Sequence, residues 1–191
     1  MDIWNWVEKL QGDLRQAGQA QNAHLLNRLA DEVSELRVDR VDALLPEARA
    51  LGKALDNPWV DVYVGHWALR NRVGNRVEGE SALGEAVALF ERAHREDTLE
   101  CPQSICVTQD LAACYGNIDG PGWVPERIEV CDETLARINP GWACFQCLSC
   151  EKADALLDDG RGQDALDYLQ VQSDAIEACG KEVFDSFPEM Q

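Results

Sequence analysis

Apolar residues recur along this chain at intervals of three and four, the spacing that lines one face of an α-helix. Trp4, Val7, Leu10 and Leu14 set out a first helix, and Gly18 follows as its stop. A second spans residues 19–36, with Leu25, Leu26, Leu29, Val33 and Leu36 on its apolar side. A third spans 40–55, and its Pro46 is expected in the first two turns or at a kink. Asn57 and Pro58 read as the N-cap and first residue of a fourth, 58–73, which Gly74 and Asn75 close. Five more follow: from 80 or 81 to 94, 104–115, 125–138, 142–159 and 162–178. No strand-like alternation with hairpin turns interrupts them. The pattern predicts an all-α fold of stacked antiparallel helical hairpins, about nine helices in all.

The strongest break is the Gly- and Pro-rich loop 116–125, a candidate hinge within a single domain spanning 1–182. Residues 183–191 read as a C-terminal tail. The tripeptide Pro-Gly-Trp occurs at 121–123 and at 140–142, each time just before a helix, so each Trp is expected to anchor a helix entry.

Small and bulky residues recur at helical-repeat spacing. Ala86, Phe90 and Ala93 fit the second helix of a hairpin, and small residues there let a neighbouring helix approach closely. In the last hairpin Ala165 follows the turn glycine Gly160 by five residues and Leu169 lies four beyond it; in the first, Ala23 follows Gly18 by the same five and Ala30 stands seven further on, as Ala93 does from Ala86. Pro140 follows a helix end in the manner of a terminal repeat proline. In these residues the chain resembles a degenerate tetratricopeptide repeat protein. It departs from the pattern at Asn27 and Gln172, and its matched alanines are 63 and 79 residues apart where two strict repeats would give 68. The resemblance implies an α-solenoid that binds protein segments, and it implies no activity.

Composition narrows the partner. The chain carries 35 acidic and 17 basic residues, a net charge of −18. A field of that sign repels nucleic acid and anionic membranes and speeds encounter with a basic protein or peptide. The first six residues show no basic segment leading into an apolar run, and no apolar stretch reaches the length of a membrane span, so a cytoplasmic protein is expected. Its eight cysteines then read as reduced thiols, small enough to pack between helices.

Candidate chemistry is sparse. Cys144, Cys147 and Cys150 form a C-x-x-C-x-x-C run, the residues that any metal site would use, with Cys101 and Cys106 as further ligands across a hairpin. The run lies in a predicted helix and lacks the following Cys-Pro of a ferredoxin motif, so close helix packing is favoured, with no cofactor. No nucleophile elbow, phosphate loop or zinc-protease motif occurs, and no catalytic residue is assigned.

Trp59, Tyr63 and Trp67 stand four apart with Arg70, Arg72 and Arg76 beyond them, and read as a groove, as core, which helical spacing alone produces and which is favoured, or as a mixture with Trp67 buried and Tyr63 at the rim. Acidic clusters are candidate docking surfaces: Glu126, Glu129, Asp132 and Glu133; Asp154, Asp158 and Asp159; and a set from Asp31 to Glu47. These features favour a non-catalytic protein-interaction module, of the kind that masks a basic toxin or enzyme as an immunity protein does. A peptide-binding adaptor or chaperone using Trp59–Arg70 and a cysteine-based metal or redox sensor are the alternatives.

Overall fold

The computed structural model describes residues 4–119 and 123–179, so residues 120–122 of the predicted hinge and the tail 183–191 lie outside the described residues. Within them are nine α-helices, one π-helical turn and no strand. The helices are α1 (Asn5–Gln16), α2 (Ala20–Ser34), α3 (Val38–Leu55), α4 (Pro58–Arg70), α5 (Glu80–Ala93), α6 (Gln103–Gly116), α7 (Val124–Leu135), α8 (Ala143–Asp158) and α9 (Gly162–Ala178). None is long and apolar enough to cross a membrane.

Local chemistry sets most of the boundaries. Asn57 caps α4, its side-chain oxygen accepting from the Trp59 backbone N–H at 3.0 Å, and Pro58 holds the first helical position. Gly18 and Gly160 take left-handed backbone at φ 77° and 74°. Each lets the next residue's N–H reach back to close the preceding helix, Gln19 to Leu14 O at 2.8 Å and Arg161 to Leu156 O at 2.9 Å.

Four boundaries differ from the sequence reading by more than one residue. Leu36 takes the left-handed conformation itself, φ 58°, so α2 ends at Ser34 and Leu36 stands exposed. Pro46 lies in the third turn of α3, inside the helix rather than in its first two turns, because α3 begins at Val38. The fourth helix widens after Arg70 into the π-helical turn Asn71–Asn75. The seventh stops at Leu135, and Ile138 turns into the core beyond it.

Consecutive helices pack along the whole described chain. In addition α2 packs on α4, α4 on α6 and α6 on α8. The even-numbered helices therefore form one row, α1, α3, α5 and α7 pack against it, and α9 closes on α8. Small residues permit the close approaches. Ala86 and Ala93 of α5 are fully buried while Phe90 between them is partly buried. A Cβ on Gly65 of α4 would stand 2.6 Å from a Leu89 methyl of α5. Trp123 stacks on Tyr115 with ring centroids 5.0 Å apart, and Trp142 packs into the cluster of Ile105, Phe145 and Leu148, so each anchors a helix entry.

Candidate binding face on helices four, six and eight

The aromatic stripe of α4 is core. Tyr63 is 2% exposed, and its hydroxyl donates to the Leu26 carbonyl of α2 at 3.1 Å. Burial holds that phenol well above its usual range. Trp67, 7% exposed, stacks against Trp4 of the segment leading into α1. Trp59 lies nearer the surface, meets Trp6 edge to face and donates from Nε1 to the Asp97 carbonyl at 3.2 Å. Tyr63 thus sits deep between α2 and α4 where the sequence left room for a rim. The reason is that three aromatics spaced by four share the face that α1 and α2 cover.

The arginines beyond the stripe are held by carboxylates of the chain. Arg72 pairs with Glu78 at 2.6 Å and Glu85 at 2.7 Å, and Arg76 pairs with Asp42. Arg70 Nη1 donates to Asp110 Oδ1 at 3.2 Å, while His66 Nδ1 donates to the other oxygen at 2.9 Å. Asp110 is wholly buried, so two α4 side chains converge on one α6 carboxylate inside the row.

Arg70 is a third exposed and faces α8 across α6. Its charge reaches Cys147 and Glu151. Glu151 is a half-buried carboxylate, raised above the usual range mainly by burial, and Gln109 Nε2 donates to it at 3.4 Å. Beside it opens a cleft of about 320 Å³. Ala113, Gly116 and Asn117 of the α6 end, Arg127 of α7, and Glu151, Asp154, Leu157 and Asp158 of α8 line it. Arg127 pairs with Asp158, the last residue of α8, and lies against Gly116, the last residue of α6. A cation there suits the negative ends of both helices.

The structure therefore brings Arg70, Cys147, Asp154 and Asp158 to one side of the row and leaves other sequence candidates elsewhere. Of the α7 acids, Asp132 pairs with Lys152, Glu126 and Glu129 act on Tyr115, and Glu133 faces His94, so the group is spread around its helix. In the N-terminal set, Glu32 is buried and ringed by Arg28, Arg37 and Arg40. Glu151, Gln109 and Arg127 escaped the sequence reading. The signal for Glu151 was present, because residues 147, 151, 154 and 158 fall at the four-three-four spacing of one helix face.

The thiols of Cys106, Cys147 and Cys150 are not activated. Cys106 hydrogen-bonds with Cys144, which together with burial holds its thiol well above the usual range. Burial also raises Cys147 and Cys150. Nucleophilic or metal-binding thiolates need the opposite environment. Among the described residues no three His, Cys, Asp or Glu side chains converge as metal ligands do. No family model, curated protein or solved structure matches the chain.

Proposed function

We propose that the chain is an acidic helical scaffold that binds a basic protein or peptide and performs no chemistry of its own. The observation behind this reading is how the charge is spent. Most arginines already serve intramolecular pairs, Arg72, Arg76 and Arg127 among them, yet the net charge remains −18. The surplus carboxylates face outward, and those of α8 border a cleft. Such a surface draws a basic partner by long-range attraction and repels phosphate backbones.

A stoichiometric mask for a basic toxin or enzyme is the form of this function that the acidity suits best. The packing of alternate helices into a row is in keeping with the tetratricopeptide resemblance, whose members hold other polypeptides. The test begins with a tagged capture from the native host, followed by reconstitution of the captured protein with this chain. The expected outcome is a one-to-one complex with a basic partner that weakens at least about tenfold from low to high salt. Salt-insensitive binding, or a partner without a basic surface, overturns the reading.

A further inference from the structure

Cys106 of α6 and Cys144 of α8 join two neighbours in the row through their sulfurs. The two thiols are in hydrogen-bond contact, and each is partly buried. Cys144 lies in the first turn of α8 and packs against the cluster that holds Ile105, the residue before Cys106. The contact keeps the proton on Cys106, which leaves Cys144 as the accepting sulfur. The positive end of α8 also favours the charge that a sulfur gathers there as it attacks. Other thiols are placed differently. Cys101 and Cys131 are buried, Cys114 is buried and donates to the Gly79 carbonyl at 3.4 Å, and Cys147, Cys150 and Cys179 face outward.

Two sulfurs in hydrogen-bond contact need only a short approach to bond, because helix packing has already brought them together. Held protonated, Cys106 reacts slowly, so this is no fast catalytic thiol. At equilibrium the same environment works the other way. A reduced pair that gains little from thiolate formation has a disulfide that resists reduction. We propose that Cys106 and Cys144 are a modification site for small disulfides such as glutathione disulfide, which close them into a bridge between α6 and α8. The Cys144 thiolate attacks one glutathione sulfur, forms a mixed disulfide and releases the first glutathione. The Cys106 thiolate then attacks Cys144 Sγ, forms the bridge and releases the second. The two cysteines are oxidised, glutathione disulfide is reduced to two thiols, and the protons lost by the cysteines end on them. This step changes the chain itself and is independent of the partner proposed above.

The whole chain is equilibrated at mildly alkaline pH in glutathione buffer with about a tenfold excess of the reduced form. It is then quenched with acid and alkylated, and its disulfides are mapped by tandem mass spectrometry. In that buffer a lone exposed thiol such as Cys179 stays mostly free, whereas a neighbouring pair is held by its own proximity. A bridge between Cys106 and Cys144 is expected, with Cys179 alkylated. The bridge raises the thermal midpoint by about 5–10 °C, because a cross-link restricts the unfolded chain, and dithiothreitol reverses the rise. In glutathione disulfide alone, C106S stops with glutathione on Cys144 and loses the rise. C147S removes the exposed thiol one turn on and leaves the bridge in place.

Cys106 and Cys144 both alkylated in the redox buffer would overturn the proposal. A bridge from Cys144 to Cys147 in place of the expected one does the same. So does a bridge that forms only in denaturant, since the folded contact would then not direct it. If C106S fails to fold, the map of the unsubstituted chain decides these points by itself.

Discussion

Asp110 of α6 accepts a hydrogen bond from His66 of α4 at 2.9 Å, and neither side chain opens to solvent. The same carboxylate takes Arg70 at 3.2 Å, but that arginine is 36% exposed. One carboxylate therefore joins two neighbours in the row of even helices through one buried and one surface-facing contact. Removing one member of a buried, hydrogen-bonded charged group strands the rest. Asp110→Ala is expected to cost about 3–5 kcal/mol in urea denaturation. Arg70→Ala, at the exposed end, should cost about 0–1 kcal/mol. Equal costs would show that the buried contact is not what ties α4 to α6.

Three glycines separate close backbone approach from open space. A Cβ on Gly79 would stand 2.6 Å from the Asn117 carbonyl oxygen and 2.7 Å from its carbon, where backbone meets backbone at the end of α6. Gly79→Ala should lower stability by about 1–3 kcal/mol. A Cβ on Gly12 or Gly84, inside α1 and α5, meets nothing within 4 Å. Gly12→Ala and Gly84→Ala should each raise stability by about 0.5–1 kcal/mol, because alanine loses less backbone freedom in a helix. Denaturation midpoints of the three variants check the opposite signs.

The buried thiols impose an alkaline limit. Burial raises Cys101 and Cys131 to about 12 and Cys114 to about 11, against an ordinary value of 9.0. The folded chain keeps these protons where the unfolded chain releases them. Their contribution to stability is complete below pH 9 and is lost as pH rises towards the folded values. The slope approaches about 1.4 kcal/mol per thiol for each pH unit. Stability measured from neutral pH to above pH 10 should fall accordingly. Alkylation at neutral pH should label the exposed Cys147, Cys150 and Cys179 first and reach Cys101, Cys114 and Cys131 only on unfolding.

The helices were legible in the sequence because their causes are local. Apolar spacing, the Asn57-Pro58 start and the Gly18 and Gly160 stops act within a few residues of themselves. Where the reading and the structure part, a distant contact or an unusual backbone angle decides. Leu36 ends α2 in a conformation that leucine rarely takes, and Ile138 leaves α7 to enter the core. Arg70, Asp154 and Asp158 could be named from charge and spacing, but what each of them faces could not.

The sequence by itself determined an all-helical, strongly acidic chain, since periodicity and net charge are sums over the residues. Tertiary structure decided which side chains are spent inside. Tyr63 finds its acceptor 37 positions away, Asp110 its histidine 44 away and Arg127 its carboxylate 31 away. Burial and pairing are properties of the packed row, so only the fold could turn the aromatic stripe into core and bring Glu151 and Asp154 to the same cleft as Arg127.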